Sequence, residues 1–263
     1  MLRPRILPCL LVQDGGLVKT MQFGRPKYVG DPINAVKIFN EKRADELMVL
    51  DIDASRLARE PNMRLIAQFA VECRMPLCYG GGIKTVEQAR KIVRLGVEKV
   101  AISSAALGNP QLVSSIANEI GSQSVVVVLD VKIDPMGAYE VCTFNATRGS
   151  RLSPVECAQQ AEFMGAGEVV LNSVDRDGQM LGYDLALAQM VRPVINLPMT
   201  MLGGAGSLAD MGALFDTCAG VGAAAGSMFV FKGPLRAVLI NYPDSGQKES
   251  LFRAAGSLHR QGR

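Results

Sequence analysis

Short apolar runs alternate with amphipathic stretches along almost the whole chain. Eight runs rich in β-branched residues predict strands, and several are apolar on both faces, as parallel strands covered by helices require. The predicted strands are Arg5–Leu11, Glu46–Ile52, Pro76–Tyr79, Lys99–Ser103, Ser124–Val131, Glu168–Ser173, Pro198–Leu202 and Gly222–Gly226. A short segment after the fifth strand, Ala138–Asn145, indicates additional strand structure.

Helical periodicity fills the segments between these strands. The predicted helices are Pro32–Arg43, Asn62–Cys73, Val86–Leu95, Gln111–Glu119, Pro154–Met164, Leu185–Val191, Leu208–Phe215 and Leu235–Ile240. Eight strand–helix units predict an α/β fold, a closed (β/α)8 TIM barrel forming a single domain over residues 1–263, with an open doubly wound sheet as the alternative. The length of 263 residues fits, since such barrels typically have about 250 residues.

An internal repeat divides the chain into two halves. Tyr79–Ala105 aligns with Leu202–Met228 at a constant offset, so that Gly80-Gly81 matches Gly203-Gly204. A period of half the chain predicts a barrel built from two half-barrels, because a solenoid would have a shorter period and more copies.

Glycine and serine end four of the predicted strands at matched positions of this repeat. Glycine lets backbone N–H groups approach an anion closely, and serine adds a hydroxyl group beside a helix start. In barrels of this class, phosphate commonly binds after strands seven and eight, and the repeat generates a second, opposed site. We therefore expect a substrate with two phosphate groups, although glycines that only make tight turns are the alternative. The expected phosphate-binding residues are Gly81, Gly82, Ser103, Ser104, Gly203, Gly204, Gly226 and Ser227.

Aspartates cluster where strands two, five and six end. They are Asp51, Asp53, Asp130, Asp175 and Asp177. Carboxylates at this end of a barrel commonly carry out acid–base chemistry. Asp130 follows an all-apolar strand, which favours a catalytic role, whereas Asp53 and Asp175 could equally cap loops.

Composition excludes several classes of function. The net charge of +3 without a long basic run argues against nucleic acid. No apolar run reaches the roughly 18 residues of a membrane span, so we expect a cytoplasmic protein. The six cysteines form no C-x-x-C pair, and the single histidine, His259, lies in a polar tail. We therefore expect reduced thiols, no metal and no cofactor.

Motifs distributed over nearly the whole chain are specific to one family. They are Ile6-Leu7-Pro8-Cys9-Leu10, Asp14-Gly15, Lys19, Gly30-Asp31-Pro32, Asp45-Glu46-Leu47, Leu50-Asp51-Ile52, Gly80-Gly81-Gly82-Ile83, Gly121-Ser122-Gln123, Gly165-Ala166-Gly167-Glu168, Asp175-Arg176-Asp177-Gly178, Gly182-Tyr183-Asp184 and Gly203-Gly204-Ala205-Gly206. With them the chain resembles the cyclase subunit of imidazole glycerol phosphate synthase, the HisF family.

The resemblance implies a half-barrel duplication that binds a phosphorylated small-molecule substrate with a phosphate at each end. It also implies a HisH-like glutaminase on the N-terminal face of the barrel, whose ammonia travels through the barrel to the active site. The substrate-binding residues would be Lys19, Asp51, Asp53, Asn172, Ser173 and Asp177. Taken alone, the charges that begin strands one, two, four and six are more simply four unrelated surface charges. The resemblance instead makes these residues, Arg5, Glu46, Lys99 and Glu168, the ammonia gate.

One departure from the family changes the reaction centre. The family uses two aspartates as acid–base catalysts, at the ends of strands one and five. Asp130 matches the second, but Leu11 occupies the position of the first. Such a catalyst contributes roughly 10²–10⁴-fold to a rate. Smaller departures, all expected to face the pocket, are Asp53 and Asn172 where the family usually has Thr, Ser103 where it has Asn, and Leu202 where it has Ser.

Three functions remain open. The first is the barrel subunit of a glutamine-dependent, ammonia-channelling complex with altered chemistry. It resembles paralogues that work with a glutaminase and an ATP-dependent amidating enzyme on an activated sugar, in O-antigen and lipopolysaccharide synthesis. The second is an authentic cyclase of histidine biosynthesis, in which another group, such as Asp53, replaces the missing aspartate. The third is a non-catalytic scaffold that activates a glutaminase.

Overall fold

The first and last parallel strands of the chain pair with each other, which closes the sheet into a barrel. The computed structural model describes residues 4–261 and the side chains of residues 4–254. In chain order the strands are β1 (Arg5–Gln13), β2 (Gly16–Met21), β3 (Gly24–Gly30), β4 (Leu47–Asp51), β5 (Leu77–Gly80), β6 (Lys99–Ile102), β7 (Val125–Ile133), β8 (Tyr139–Thr143), β9 (Arg148–Gly149), β10 (Glu168–Ser173), β11 (Met199–Leu202), β12 (Gly222–Ala225), β13 (Phe231–Lys232) and β14 (Ala237–Val238). The barrel consists of β1, β4, β5, β6, β7, β10, β11 and β12, in that order. The predicted (β/α)8 fold is confirmed, and the open sheet is excluded.

Helices connect successive barrel strands and cover the outside of the barrel. They are α1 (Pro32–Glu41), α2 (Met63–Glu72), α3 (Val86–Arg94), α4 (Ser104–Gly108), α5 (Gln111–Ile120), α6 (Pro154–Phe163), α7 (Leu185–Val191), α8 (Leu208–Thr217), α9 (Ser227–Val230) and α10 (Ser245–Gln261). Thr85, Ser153 and Ser207 form capping boxes at the starts of α3, α6 and α8. A capping box satisfies two backbone N–H groups that lack a partner within the helix, so these residues fix where the helices begin.

The prediction of a helix at Leu235–Ile240 is wrong. This segment lies largely in the antiparallel hairpin of β13 and β14, and Arg236 has a φ of 50° at its turn. A left-handed residue interrupts a right-handed helix, and Pro234 just before it also favours a turn. The predicted extra strand structure at Ala138–Asn145 is confirmed, because β8 pairs antiparallel with β7.

Besides the short elements α4, α9 and β9, two larger features were not predicted. The antiparallel hairpin β2–β3 follows β1 at the carboxyl-end face of the barrel. Near the C-terminus, α10 packs on α8, and the rings of Phe215 and Phe252 lie 5.9 Å apart between their centroids. The hairpin therefore adds a wall at the end of the barrel where the predicted site lies, whereas α10 covers the outside.

Apolar side chains form two separate cores. The larger lies between the strands and the helices, and the smaller fills the inside of the barrel. The inner core consists of Leu7, Cys9, Met48, Cys78, Ala101, Val126, Val128, Val170, Leu202 and Ala224, with Leu11 and Leu50 packed against it. Because side chains alternate along a strand, β1 directs Arg5, Leu7, Cys9 and Leu11 inward in succession. The barrel interior is thus charged at one end and apolar along its middle.

Candidate active site

A cavity opens at the carboxyl ends of the barrel strands. Its empty volume, including space open to solvent at the mouth, is about 1190 Å³. The predicted site residues that line it are Lys19, Asp51, Gly81, Gly82, Ser103, Ser104, Asp130, Asn172, Asp177, Gly203, Gly204, Gly226 and Ser227. Two predicted substrate-binding residues, Asp53 and Ser173, are buried and do not line the cavity. The structure therefore brings together both halves of the repeat at one site.

Gly81 and Gly204 occupy equivalent places at the ends of β5 and β11. Their φ angles are 125° and 105°, in a region that favours glycine. A Cβ on Gly81 would lie 2.6 Å from the carbonyl oxygen of Asp51, and a Cβ on Gly204 would collide with the carbonyl oxygen of Gly182. Glycine is required at both positions, and both residues line the cavity. This arrangement suits an anion at each of two opposed places.

The tip of the β8–β9 hairpin lies beside the first of these places. The backbone N–H of Phe144 donates a hydrogen bond of 3.0 Å to Oγ of Ser104. The side-chain amide of Asn145, which lines the cavity, donates to the carbonyl oxygen of Ile52. Ser104 accepts in this contact, so its own hydroxyl proton remains available to donate to a bound ligand. The insertion after β7 therefore forms part of the cavity wall.

Asp130 lies at the carboxyl end of β7 and contacts two polar neighbours. Nδ2 of Asn172 donates to its Oδ1 over 2.9 Å, and Oγ of Ser103 donates to its Oδ2 over 3.4 Å. Burial raises the pKa of Asp130 to about 6, although both hydrogen bonds work in the opposite direction. The negative charge of Asp177 adds to the increase. A carboxyl group that titrates near neutral pH can both accept and donate a proton, as acid–base catalysis requires.

Leu11 lines the cavity from β1, which lies across the barrel from β7. It packs against the inner apolar core together with Leu50. The carboxylate of Asp53 does not replace the missing acid–base group in this arrangement. It accepts a 3.1 Å hydrogen bond from Gln13 and a 2.8 Å hydrogen bond from Arg56, outside the lining of the cavity. The structure therefore places a buried carboxyl group with a raised pKa on one side of the cavity and an apolar side chain on the other.

Lys19 and Asp177 attach the β2–β3 hairpin to the rest of the site. Nζ of Lys19 donates to the carbonyl oxygen of Cys9 over 2.7 Å, and burial lowers its pKa. Asp177 accepts from Oγ1 of Thr20 over 2.6 Å and from the backbone N–H of Phe23 over 3.2 Å. Burial raises the pKa of Asp177, while these hydrogen bonds lower it. The amino group of Lys19 thus lies at the second of the two opposed places, where a Cβ on Gly226 would lie 2.5 Å from Nζ.

Asp51 at the end of β4 has a structural role in addition to its place in the cavity. Its Oδ1 accepts from the backbone N–H groups of Asp53 and Ala54, each over 3.1 Å. Burial raises the pKa of Asp51, and these two hydrogen bonds reduce the increase. It therefore caps the loop that follows β4 while one side faces the cavity.

Four charged side chains meet in a closed ring at the opposite end of the barrel. Nη1 of Arg5 lies 2.8 Å from Oε2 of Glu46, and Nη2 of Arg5 lies 2.7 Å from Oε1 of Glu168. Nζ of Lys99 lies 2.6 Å from Oε1 of Glu46 and 2.9 Å from Oε2 of Glu168. Each cation therefore contacts both anions, which the interpretation as four unrelated charges did not anticipate. We call these four residues the charge ring.

Sequence reasoning missed a fifth polar side chain at this ring. Thr200 is fully buried, and its Oγ1 donates to Oε1 of Glu168 over 2.7 Å. The signal was available, because Thr200 is the polar residue of the otherwise apolar strand β11 and shares its inward face with Leu202.

The part of the chain that the structure describes offers no support for a metal-ion site or for a membrane-spanning helix. No group of three or more histidine, cysteine, aspartate or glutamate residues is arranged to hold a metal ion there. None of its helices is long and apolar enough to cross a membrane. All six cysteines, which lie within the described residues, are free thiols. His259 lies beyond the side chains that are described.

Comparison with known proteins assigns residues 5–235 to the family described as histidine biosynthesis protein. A relative from Leptospira interrogans is 54% identical over 253 residues, covering 96% of this chain and all of the relative. One from Pseudomonas aeruginosa is 55% identical, covering 93% of this chain and 97% of the relative. Both carry the provisional name imidazole glycerol phosphate synthase subunit HisF or hisF2. The Streptococcus sanguinis subunit HisF is 38% identical, covering 87% of this chain and 91% of the relative.

Proposed function

The chain belongs to the HisF family of imidazole glycerol phosphate synthase subunits, and from that premise we propose that it is the barrel component of a glutamine-dependent, ammonia-channelling complex. Its partner is a HisH-like glutaminase bound at the face that carries the charge ring. The ammonia serves the amidination of an activated sugar, in cytoplasmic steps of O-antigen or lipopolysaccharide synthesis.

The contrast between the two ends of the barrel carries this proposal. At one end the charge ring is complete, with four ion pairs of 2.6–2.9 Å. At the other end Leu11 stands where a cyclase of this family has an acid–base aspartate. Burying four charges is costly unless they pair with one another, so a complete ring indicates a retained role. That role is the passage of ammonia.

The barrel interior supports this role. Between the charge ring and the cavity the inner core is apolar, formed by residues such as Leu7, Met48 and Val126. Ammonium would lose its hydration in such surroundings at a high energetic cost, whereas neutral ammonia would lose much less. An apolar interior therefore selects the neutral, nucleophilic form and keeps bulk water out.

The cavity suits a phosphorylated ligand but offers only half of the family's acid–base pair. Gly81 and Gly204 line the cavity at two opposed places, and Lys19 lies beside the second. Asp130 can exchange a proton near neutral pH. Leu11, across the barrel from Asp130, cannot exchange one, and neither can Leu202 in β11. We therefore assign the amidination to a third, ATP-dependent protein that receives the ammonia, and binding of a phosphorylated ligand to this barrel.

Authentic cyclase activity is the second candidate, and the retained, hydrogen-bonded carboxyl group of Asp130 favours it. The same carboxyl group, its two hydrogen bonds and both anion positions would serve cyclisation with one catalyst instead of two. Under this alternative the chain would still need the glutaminase and the charge ring. The two candidates therefore differ in their product and agree on the source of nitrogen.

An assay with the purified complex distinguishes the two candidate functions. Barrel and glutaminase are supplied with glutamine and either the histidine-pathway substrate or an acetamido nucleotide sugar with ATP and the amidating enzyme. We expect an amidine product, with glutamate and product formed in equal amounts, and very slow cyclisation. Cyclisation at ordinary enzymatic rates would establish the second candidate instead.

The role of the charge ring is tested in the same assay with Lys99→Ala. Removing Nζ leaves Glu46 and Glu168 without one partner each, so the ring no longer seals the barrel. Glutamate should then exceed product, because ammonia escapes. Arg253→Ala, which removes an exposed ion pair with Glu249, is the matched control. An unchanged ratio in Lys99→Ala, or a barrel that binds no glutaminase, would refute the channelling proposal.

A further inference from the structure

Thr200 is embedded in the charge ring. It lies in β11 between Met199 and Met201, and it is fully buried. Its hydroxyl group donates to Oε1 of Glu168 over 2.7 Å, and Nη2 of Arg5 approaches Oγ1 at 3.4 Å. Since a hydroxyl carries one proton, it can donate to the glutamate while it accepts from the arginine. Thr200 therefore bridges an anion and a cation of the ring without adding a charge.

The neighbouring strand leaves the space that this hydroxyl fills. In β12, Gly222 pairs with Arg5 on one side and with Thr200 on the other. A Cβ on Gly222 would collide with Oγ1 of Thr200. Glycine at this position is thus what lets the hydroxyl group lie between Arg5 and Glu168.

Thr200 makes the two glutamates of the ring unequal. Glu46 receives one hydrogen bond from Arg5 at 2.8 Å and one from Lys99 at 2.6 Å. Glu168 receives hydrogen bonds from the same two cations and a third, neutral donor, the hydroxyl of Thr200. If Lys99 moves away, Glu168 still has Arg5 and Thr200, whereas Glu46 has only Arg5.

Lys99 is the member of the ring best able to move. Its ammonium group is held by only two hydrogen bonds, at the end of a flexible four-carbon stem. The guanidinium of Arg5 is a rigid fork that contacts both glutamates and Thr200. A passage through the ring therefore opens most easily when Lys99 leaves it.

We propose that Thr200 is a positioning residue of the gate, whose hydroxyl keeps Glu168 hydrogen-bonded while Lys99 is displaced. A buried carboxylate that loses a partner is strongly destabilised. The hydroxyl of Thr200 stays in place when Lys99 leaves, and it then stabilises the carboxylate of Glu168. Its contribution is larger in the open ring than in the closed ring, where Lys99 also donates to Glu168. Thr200 thus makes opening easier. The link to ammonia passage rests on the proposed function, whereas the effect of Thr200 on the displacement of Lys99 concerns the charge ring alone.

The test measures how often Lys99 leaves the ring. The isolated barrel is treated with an amine-acetylating reagent, and mass spectrometry follows the acetylation rate of Lys99. In the closed ring Nζ is protonated and hydrogen-bonded, so it reacts only after displacement. Thr200→Val, which keeps the shape but removes the donor, should slow this reaction by about three- to tenfold. Thr200→Ser should restore the rate.

Two controls separate positioning from a general loss of structure. Lys248, whose Nζ lies 2.6 Å from Oδ1 of Asp45, should be acetylated at the same rate in every variant. Gly222→Ala changes no group of the ring but displaces the hydroxyl of Thr200, so it should slow Lys99 as Thr200→Val does. If Thr200→Val does not fold, Gly222→Ala decides the question.

An unchanged or faster acetylation of Lys99 in Thr200→Val and Gly222→Ala would overturn the inference. A second measurement connects it to ammonia. In the complex with glutaminase, Thr200→Val should slow product formation while glutamate and product stay equal. If the native complex forms no product, the proposed function is wrong. The acetylation experiment on the isolated barrel still tests the role of Thr200.

Discussion

The side-chain amide of Asn172 holds one carboxylate oxygen of Asp130 at 2.9 Å, from the strand next to it in the barrel. The two residues lie opposite each other in the register of β10 and β7, so their contact is fixed by strand pairing. The amide can only donate through Nδ2, which favours the ionised form of the carboxyl group. Asn172 therefore limits the increase in the pKa of Asp130 that burial causes.

Removing this amide should raise the pKa of Asp130 further. In Asn172→Leu we expect the carboxyl group to titrate above its native value of about 6, because burial is then opposed only by the weaker hydrogen bond from Ser103. Carbon-13 NMR of aspartate carboxyl groups, with Asp130→Asn to assign the signal, measures the change. Ser103→Ala, which removes the 3.4 Å contact, should give a smaller increase. Equal increases would contradict the assigned order of the two bonds.

Asp130 should make the protein less stable as the pH rises. Its folded-state pKa is raised from 3.8 to about 6, so the folded protein holds a proton that the unfolded chain has already lost between these values. Stability falls through this window, and the full penalty is present above it. Asp130→Asn should therefore increase the free energy of unfolding by about 1–3 kcal/mol at pH 7, and hardly at all below pH 4. Urea unfolding at several pH values measures this; an increase that is the same at every pH would contradict it.

Restoring the missing carboxylate should restore cyclisation. Leu11→Asp places a carboxyl group in the cavity across from Asp130, and a positioned acid–base group contributes roughly 10²–10⁴-fold. We expect a measurable increase in cyclisation of the histidine-pathway substrate with excess ammonium. The asparagine in Leu11→Asn has the shape of aspartate but no acid–base proton to exchange, so this variant should cyclise at the native rate. If the cyclisation rates of both variants increase equally, the low polarity of the cavity wall, and not the lack of proton transfer, limits the rate of the native protein.

The two anion positions should be occupied in crystals grown with sulfate. We expect one ion near Gly81, Gly82 and Ser104 and another near Gly204 and Ser227. Gly204→Ala should empty the second position only, because a Cβ there collides with the backbone of Gly182. Gly137→Ala is the control for the strain of a side chain at positive φ, since a Cβ there meets nothing within 4 Å. Empty positions in the native crystal would refute the phosphate assignment.

The barrel strands could be predicted from sequence because each is a short apolar run between turn signals. Glu168–Ser173 was predicted with the bounds that the structure has, and the other seven differ by one or two residues at their ends. The segment at Leu235–Ile240 failed because its apolar residues suit a helix, whereas Arg236 takes a left-handed conformation that no periodicity reveals. The hairpin β2–β3 was missed because its residues are mixed in polarity and continue directly from β1.

Part of the site could also be predicted from the positions of its residues at strand ends. Residues such as Asp130 and Gly204 follow strands, and all strands of a parallel barrel end on one face, so their order in the chain suffices to bring them together. Which way a loop residue points is set by tertiary contacts. Asp53 lies only two residues beyond Asp51, the last residue of β4, but hydrogen bonds to Gln13 and Arg56 hold it away from the cavity. Thr200 stands out as the polar residue of β11, but its partners are 195 and 32 residues away in the chain, so the sequence alone does not connect it with the charge ring.

These sequence separations bear on how the protein is made. Arg5 belongs to the first strand, yet it finds Glu168 only 163 residues later and Thr200 later still. Pairing over such distances is slow, and it cannot occur on the ribosome until β11 has been synthesised. A nascent or truncated barrel therefore presents an incomplete ring with unpaired charges. If a glutaminase docks at the charge ring, as proposed, it would find the ring complete only after β11 has been synthesised.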